Sequence, residues 1–517
     1  MSVTTAIAET VDHEHTGIVT NNVATHLSGS APDTAVAWIE PDRDYTYREL
    51  RQAAGAITER LRGLGADAGD PIALWGPNGF FWIAAYLGIL GAGMIAVPMP
   101  TTSTVDDVQA RTAWAGCRAL VQGVGPRLRS APAVPVLTEA DLPQRWWECA
   151  EPVQPVEVAP DADAVYVFTS GTTGTPRAVR LTHRNIKANT DSIVTYLGLA
   201  ETDRTLVVLP FSYVFGASLL HTHLRVGAGL VRHDTTAFPE TVVDALQSHE
   251  CTGMAGVPAV FNALMRNSTF ASRPLPHLRI LQQAGGSLSP AVSDEIALAH
   301  PGADLFVMYG QTEATARLSY LPPAEREARR GSIGRGIPGV HLRVVLPDGT
   351  DAAPGEVGEI WATGANVSPG YLADEAASAA KMAGGILRTG DLATVDDDGY
   401  IYVVDRIEDF IKSWGHRVAG SDIEAAAMQL GDLVGAAAVG IPDQAAGERI
   451  ELAVVFSDAS ALSPDDVQAH LRRVLPRHMW PAAVHRTDAL PLNANGKVLK
   501  RAVRDALREQ ADGKPPS

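Results

Sequence analysis

Cysteine and positive charge are both scarce in this chain of 517 residues. The three cysteines, Cys117, Cys149 and Cys251, are too few and too scattered for a disulfide framework or a zinc site, so we expect a reducing compartment, the cytoplasm. Lysine and arginine number 42 against 59 aspartates and glutamates, which gives a net charge of −17. An acidic surface repels phosphate groups, so neither nucleic acid nor an anionic membrane is expected as a partner.

Targeting and membrane segments are also lacking. The N-terminus shows no basic stretch followed by an apolar run, so no secretory signal is expected. Residues 80–97 are almost wholly apolar and approach the length of a bilayer span. Because three glycines interrupt this stretch and no basic anchors flank it, we predict a buried helix that starts after a capping Asn78 and a short strand at 94–97.

The chain is longer than one hydrophobic core usually supports, so two or more domains are expected. Strand-like runs alternate with helical patterns over about four-fifths of it, which predicts an α/β fold with much parallel sheet. The strand-like runs include 71–75, 164–168 and 206–209, and the helical patterns include 47–64, 80–90 and 185–196.

The residue pattern changes in the last third of the chain. Between 331 and 404, glycine and proline separate short β-like runs at 342–346, 359–362 and 400–404, which predicts a small β-rich subdomain. After Asp405 a compact α+β pattern follows, with helices from Ser421, over 463–474 and from about Leu499, and strands at 436–440 and 451–456. We therefore expect an N-terminal domain over 1–404 and a smaller C-terminal domain over 405–517.

A loop rich in glycine and hydroxyl groups, 168–176, carries the strongest chemical signal. It reads Phe-Thr-Ser-Gly-Thr-Thr-Gly-Thr-Pro and follows an apolar strand. Glycine lets backbone N–H groups turn towards an anion, and the hydroxyls add donors, so the loop suits a phosphate. It is not a Walker loop, because no Gly-Lys-Ser/Thr follows.

Four further motifs accompany this loop: Met-Tyr-Gly-Gln-Thr-Glu at 308–313, Thr-Gly-Asp at 389–391, Asp405-Arg406, and Leu-Pro-Leu-Asn-Ala-Asn-Gly-Lys at 490–497. In this order and spacing, from about residue 40 to 505, the chain resembles the adenylate-forming superfamily of acyl-CoA synthetases, peptide-synthetase adenylation domains and beetle luciferases. The resemblance implies a large N-terminal domain of two α/β subdomains plus the β-rich one, and a small mobile C-terminal domain.

The resemblance implies roles in binding ATP and Mg²⁺. The implied nucleotide-binding residues are Thr169, Ser170, Gly171, Thr172, Thr173, Gly174, Arg177, Gly286, Ser287, Tyr309, Gly310, Asp391 and Arg406. Thr312 resembles the donor to the α-phosphate, and Glu313 resembles the magnesium ligand, a hard oxygen for a hard cation. Asp391 offers two acceptor oxygens to the ribose hydroxyls. Arg177 stands where the family usually has lysine, so the cation is kept but its geometry changes.

A second implied feature is a rotation of the C-terminal domain between two half-reactions. Lys497 resembles the catalytic lysine that stabilises charge between the attacking carboxylate and the α-phosphate. Lys412 and Gly415 resemble the segment that replaces it for thioester formation, and Glu408 stands at the family's hinge.

The resemblance implies that the acyl pocket lies around Tyr213, Phe215, Ala284, Gly285 and Gly310. Small walls and aromatic rings suit a flat or extended apolar acid, which favours an aryl or cinnamic-type acid and leaves medium-chain acids open.

The sequence thus predicts an ATP-dependent ligase for a small carboxylic acid, with CoA as acceptor. A phosphopantetheine carrier protein and a nitrogen nucleophile remain alternative acceptors, and a non-catalytic pseudo-ligase is the alternative of another class. His221 and His223 could be metal ligands, but a core or surface role is favoured because no third ligand is suggested. Trp146 and Trp147 are predicted to be a packing pair.

Overall fold

The computed structural model describes residues 21–124, 133–169, 177–406, 410–443, 445–457, 460–492 and 498–511. Its strands are β1 (Val36–Glu40), β2 (Arg43–Thr46), β3 (Pro71–Trp75), β4 (Ile95–Met99), β5 (Ala119–Gln122), β6 (Val136–Thr138), β7 (Asp163–Thr169), β8 (Arg177–Thr182), β9 (Arg204–Val207), β10 (Gly229–Arg232), β11 (Gly253–Gly256), β12 (Ile280–Gln283), β13 (Asp304–Tyr309), β14 (Ser319–Leu321), β15 (Arg335–Gly336), β16 (Val340–Val345), β17 (Gly358–Gly364), β18 (Gly370–Tyr371), β19 (Leu387–Val395), β20 (Ile401–Arg406), β21 (Ile411–Ser413), β22 (His416–Val418), β23 (Leu433–Asp443), β24 (Gly447–Phe456) and β25 (Ala483–Arg486). Its helices are α1 (Val23–Ser28), α2 (Tyr47–Gly63), α3 (Phe80–Gly91), α4 (Val105–Trp114), α5 (Trp146–Cys149), α6 (His183–Leu197), α7 (Val214–Val226), α8 (Pro239–Ser248), α9 (Pro258–Asn267), α10 (Pro290–Ala299), α11 (Glu375–Met382), α12 (Gly420–Met428), α13 (Pro464–Val474) and α14 (Lys500–Ala511).

Two large sheets form the first part of the molecule. A nine-stranded sheet has the order β15-β14-β13-β12-β11-β9-β10-β1-β2, and a seven-stranded sheet has the order β18-β8-β7-β4-β3-β5-β6. Parallel pairs fill the interior of both sheets. Antiparallel pairs lie at both ends of the nine-stranded sheet and at the β18 end of the seven-stranded sheet, whose other end is the parallel pair β5–β6. The α/β fold with much parallel sheet is therefore confirmed.

Helix α3 shows how the apolar stretch at 80–97 is used. All of its residues are buried, and it packs on α2 before the chain enters β4 in the seven-stranded sheet. The predicted buried helix and strand are confirmed, but the capping role of Asn78 is wrong. Gly79 precedes the helix, and the Asn78 amide instead donates to Leu209 O at 2.8 Å and accepts from Phe211 N at 2.9 Å. Within the described residues, no helix combines the length and apolarity that a bilayer crossing needs.

The β-rich region forms a third sheet of four antiparallel strands, β16-β17-β19-β20. Its last strand continues to Arg406, two residues beyond the run that the sequence indicated. Asp405 and Arg406 thus pair with β19 in this sheet, while the next described strand, β21, belongs to a fourth sheet. The division at 404/405 stays a prediction.

The fourth sheet has the order β22-β21-β24-β23, and β25 pairs with β24. Helices α12 and α14 contact β23, and α13 contacts β25. Ser463 caps α13, because its side chain accepts the N–H of Asp466 while the Asp466 carboxylate accepts the N–H of Ser463. The compact α+β pattern expected after Asp405 is confirmed.

Candidate active site

The site is built around the end of β13 in the nine-stranded sheet. This strand ends at Tyr309, and Gly310 and a short 3₁₀ turn, Thr312–Ala314, follow. A Cβ atom on Gly310 would lie 1.9 Å from the carbonyl oxygen of Ala316, so no other residue fits without moving the backbone. The turn presents Thr312 at its start and places Glu313 in the protein interior.

Tyr309, Asp391 and Arg406 form the first group of site residues, which we call the nucleoside cluster. The Tyr309 hydroxyl donates to Asp391 Oδ2, and Arg406 Nε lies 3.0 Å from Asp391 Oδ1. Burial and the neighbouring carboxylate raise the pKa of Tyr309 well above its usual value. Asp391 is only 3% exposed, so its oxygens have a fixed direction and suit hydrogen bonds from a diol such as ribose.

Arg177, Glu313, Tyr371 and Lys381 form the second group, which we call the phosphate cluster. Glu313 Oε1 accepts from the Tyr371 hydroxyl at 2.6 Å and lies 3.4 Å from Lys381 Nζ. The Arg177 guanidinium lies over the Tyr371 ring, 5.0 Å from its centroid, and 3.2 Å from Asp374 Oδ2. Burial and the adjacent Glu313 raise the pKa of Tyr371. The two cations, Lys381 beside Glu313 and Arg177 beside Asp374, suit a phosphate chain with a bound cation.

The chemistry of Glu313 fits a magnesium ion. Both described contacts of its carboxylate are made by Oε1, which leaves Oε2 for a hard cation. No group of three or more potential metal ligands occurs among the described residues. Mg²⁺ commonly uses one or two carboxylates together with phosphate oxygens, so this single carboxylate is compatible with a nucleotide-bound ion.

Thr169 and Arg177 hold the two ends of the glycine-rich loop. Thr169 ends β7, Arg177 begins β8, and the Thr169 hydroxyl donates to the Arg177 carbonyl at 3.4 Å. The predicted phosphate-binding residues Ser170, Gly171, Thr172, Thr173 and Gly174 lie outside the described residues, and so do Glu408 and Lys497.

The predicted acyl wall is divided between two faces of α7. Phe215 packs in a cluster with Ala284, Phe306 and Met308, next to the end of β13. Tyr213 precedes the helix and faces a narrow apolar cavity that Ala217 and His221 also line. Burial raises the pKa of Tyr213 to about 12. The two aromatic residues therefore contact different spaces.

The segment after β12 forms an exposed rim beside this wall. Ala284 is buried, whereas Gly285, Gly286 and Ser287 are exposed. Gly285 has a φ of +85°, which strains any residue with a side chain. The Gln283 side chain donates to the Gly286 carbonyl at 2.8 Å and fixes the turn.

The C-terminal candidates lie on the β21–β22 hairpin. Lys412 is in β21, and its backbone N–H donates to Glu448 Oε2 at 2.7 Å. Trp414 is 65% exposed, and a Cβ atom on Gly415 would meet no other atom within 4 Å. The hairpin tip therefore faces solvent and is not joined to either cluster by a described contact.

The two weaker candidates have structural roles. His221 Nε2 lies 2.8 Å from the Tyr86 hydroxyl, and His223 Nδ1 lies 2.9 Å from the Leu219 carbonyl, both in the buried core. Trp146 and Trp147 pack edge to face, with their ring centroids 5.7 Å apart. Both predictions are confirmed.

Three residues of the site were not predicted: Tyr371, Lys381 and Arg317. Tyr371 and Lys381 lie 58 and 68 residues after Glu313, the residue that they contact. Arg317 lies over the ring of Phe215. Of the three, only Arg317 could have been noticed in the sequence, because it is a cation four residues after Glu313 and two residues before a β-strand.

Comparison with known proteins agrees with this geometry. The family model described as AMP-binding enzyme matches residues 25–372, and the model described as AMP-binding enzyme C-terminal domain matches residues 422–497. A feruloyl-CoA synthase from Amycolatopsis sp is 30% identical over 89% of this chain and 93% of its own length. A long-chain-fatty-acid–CoA ligase from Salmonella typhimurium is 31% identical over 92% of this chain and 93% of its own length.

Among solved structures, o-succinylbenzoate CoA synthetase (MenE) from Bacillus subtilis, in complex with its acyl-adenylate intermediate, superposes with a TM-score of 0.83. It is 26% identical and covers 94% of this chain and 98% of its own. The chain therefore belongs to the AMP-binding enzyme family of adenylate-forming enzymes. Within this family it is an AMP-forming acid–thiol ligase.

Proposed function

We propose that the protein converts an aryl, cinnamic-type or medium-chain carboxylic acid to its acyl-adenylate with ATP and Mg²⁺, releases pyrophosphate, and transfers the acyl group to CoA. The observation that carries this proposal is the position of both clusters at one strand end. Tyr309, of the nucleoside cluster, and Glu313, of the phosphate cluster, are four residues apart at the end of β13. The predicted acyl wall of Phe215 and Ala284 packs beside Met308 of the same strand.

Each group of residues has a distinct task in this reaction. Asp391 and Arg406 hold the ribose and orient the nucleotide, and Thr312 donates to the α-phosphate. Arg177 and Lys381 balance the charge of the phosphate chain, while Glu313 holds Mg²⁺, which supplies further charge stabilisation when bound. Lys497 stabilises the charge that develops as the carboxylate attacks the α-phosphorus and pyrophosphate leaves.

CoA is the favoured acceptor because both curated relatives act on it by name. The same thioester chemistry suits the phosphopantetheine arm of a carrier protein, and a nitrogen nucleophile is the third candidate. Mass spectrometry of the product with each acceptor separates these cases. We also propose a cytoplasmic location, which fits the free and buried thiols of Cys117 and Cys251.

The acid is proposed to lack an α-amino group. No aspartate or glutamate occurs in residues 206–230, which include the predicted acyl wall of α7. A buried ammonium without a partner costs several kcal/mol. We therefore expect kcat/KM for cinnamate- or benzoate-type acids to exceed that for phenylalanine and tyrosine by about 10²-fold or more. Equal use of the amino acids would contradict this part of the proposal.

The test of the ligase reaction is ATP–pyrophosphate exchange over a panel of acids, with Lys497→Ala as the variant. We expect the variant to lose about 10²–10³-fold or more in exchange rate, while thioester formation from supplied acyl-adenylate survives. An unchanged exchange rate in Lys497→Ala would refute the catalytic role of this lysine. Absence of exchange with every acid would refute the proposed function itself.

A further inference from the structure

Arg317 is a fully buried arginine held rigidly beside the predicted acyl wall. It is 1% exposed and lies between the 3₁₀ turn after β13 and strand β14. Its carbonyl oxygen accepts from the side-chain amides of Asn189 at 3.1 Å and Asn366 at 2.8 Å, and its N–H donates to Asn189 Oδ1 at 3.4 Å. The backbone that carries this side chain is therefore fixed from two sides.

The guanidinium of Arg317 has apolar and weakly polar neighbours. It lies over the Phe215 ring, 4.2 Å from the centroid, and its Nε donates to Met308 Sδ at 3.3 Å. Nη2 has no hydrogen-bond partner in the part of the chain that the structure describes. Burial lowers the pKa of Arg317, whereas the hydrogen bond and the charge interaction with the Tyr196 hydroxyl raise it.

No carboxylate among the described residues forms an ion pair with Arg317. Arg279, by contrast, pairs with a buried carboxylate, Asp203, although its own side chain is 40% exposed. An unpaired buried charge is strongly destabilising, and its removal in favour of an apolar residue of similar size is often neutral or stabilising. A purely structural role is therefore a poor explanation for an arginine at this position.

The location of this charge connects it to the substrate. Phe215 and Met308 belong to the cluster that contains Ala284, and the carbonyl of Ala316, the preceding residue, abuts Gly310. Two of the residues predicted for the acyl pocket, Phe215 and Gly310, thus lie against Arg317 or the residue before it. The guanidinium thus lies against a ring predicted to line the acyl pocket, and its Nη2 has no protein partner among the described residues.

We propose that Arg317 determines specificity for acids with a second anionic group, a distal carboxylate that pairs with the guanidinium while the reacting carboxylate lies at the nucleotide. The substrate class is accordingly a dicarboxylic acid of aryl or medium-chain type, an assignment that rests on the proposed ligase function. A guanidinium presents a planar set of donors that matches a carboxylate, and the pairing supplies the missing counter-charge.

The experiment compares acids in matched pairs of equal length, such as adipate with hexanoate, suberate with octanoate, and 4-carboxycinnamate with cinnamate. ATP–pyrophosphate exchange is measured for the wild type, Arg317→Met, Arg317→Lys and a control, Arg335→Met. Arg335 also stacks on an aromatic ring, at 4.6 Å from the centroid of Tyr400, but it is exposed. The control therefore removes the same type of contact away from the site.

We expect the wild type to prefer the best diacid over its monoacid by about 10²-fold or more in kcat/KM, because a monoacid leaves the buried charge unpaired. Arg317→Met should reverse this preference, Arg317→Lys should retain part of it, and Arg335→Met should leave it unchanged. The proposal would be overturned if the wild type preferred the monoacids and Arg317→Met had the same preference. Exchange with the monoacids would still support the ligase function in that case.

Thermal unfolding provides a readout that does not depend on turnover. Without ligand, Arg317→Met should unfold at the same or a higher temperature than the wild type, because an uncompensated buried charge is lost. The preferred diacid should raise the unfolding temperature of the wild type and not of the variant.

A loss of stability in Arg317→Met that Arg335→Met does not share would assign Arg317 a structural role and overturn the proposal. If no acid supports exchange, the proposed ligase function is refuted. If, in addition, no diacid raises the unfolding temperature of the wild type, the Arg317 assignment is refuted separately.

Discussion

Glu313 depends on a residue from a distant part of the chain for its orientation. The Tyr371 hydroxyl that donates to it comes from 58 residues further on, in β18, and the Tyr371 ring lies beneath the Arg177 guanidinium. This contact leaves one carboxylate oxygen of Glu313 for a cation. The position of that oxygen is therefore set by a hydrogen bond that no local motif contains.

The first prediction concerns this hydrogen bond. Tyr371→Phe keeps the ring under Arg177 but removes the donor to Glu313, and a hydrogen bond to a charged group contributes about 1.5–3 kcal/mol. We expect the exchange rate to fall about 10-fold or more at limiting Mg²⁺, with a higher magnesium concentration needed for half-maximal rate. The measurement is a magnesium titration of ATP–pyrophosphate exchange.

A matched control exists in the third sheet. Tyr402 donates to Asp396 Oδ2 at 3.2 Å, away from both clusters, so Tyr402→Phe removes a similar bond without touching the site. A magnesium dependence of Tyr371→Phe that matches Tyr402→Phe would show that the Tyr371 hydroxyl does not position Glu313.

At the scale of single elements, the sequence predicted the start of a helix correctly where the capping residues are neighbours in the sequence. Helix α2 begins at Tyr47, as the pattern indicated, because Thr46 and Glu49 form a capping box within four residues. Asn78 shows the opposite case. Its amide satisfies backbone groups at 209 and 211, so a distant contact replaced the local cap that the residue type favours.

The candidate site was predictable only in part for the same reason. Family resemblance identified Tyr309 and Asp391, which lie 82 residues apart and meet in the fold. Periodicity alone carries no information about which strands become neighbours, so the contacts of Tyr371 with Glu313 and of Arg317 with Phe215 could not be inferred. The two-faced use of α7 likewise depends on which residues from other parts of the chain pack against each face.

The second prediction concerns the β21–β22 hairpin. Gly415→Leu should block thioester formation while acyl-adenylate still accumulates, because the family resemblance places the approaching pantetheine arm at this glycine. Measuring acyl-adenylate and thioester in single turnovers, with and without CoA, separates the two half-reactions.

Gly431→Leu is the control for this substitution. Gly415 has a φ of +78° and Gly431 a φ of +72°, and a Cβ atom at either position meets nothing within 4 Å. The backbone strain of the two variants is therefore similar, and only the location differs. If both variants lose both half-reactions equally, Gly415 has a structural role only.

At the scale of the whole molecule, buried neutral histidines link stability to pH. Burial lowers the pKa of His221 to about 3 and the pKa values of His183 and His223 to about 4. The unfolded chain takes up these protons near pH 6.5, but the folded protein does not. Their contribution to stability is therefore complete above pH 6.5 and is lost as the pH falls towards 4.

The third prediction follows from this linkage. The free energy of unfolding should fall from pH 6.5 to pH 4, by up to about 1.4 kcal/mol per pH unit for each buried histidine. His221→Gln can still accept from the Tyr86 hydroxyl but cannot titrate, so its fall should be shallower. Denaturant unfolding at several pH values measures the slope, and His277→Gln, at a half-exposed site, should leave it unchanged. An unaltered slope in His221→Gln would contradict the linkage.

The pairing of β18 with β8 has a consequence for synthesis of the chain. Tyr371, which lies in β18, aligns with Val179 of β8, so the seven-stranded sheet is completed by a strand made long after the others. At a synthesis rate of about 5–20 residues per second, the interval between β8 and β18 is roughly 10–40 s. During that time the nascent sheet presents an open strand edge, a surface prone to wrong pairing. A chaperone that covers nascent chains would therefore matter most in this interval, and Tyr371, which pairs with part of that edge, also completes the contact to Glu313.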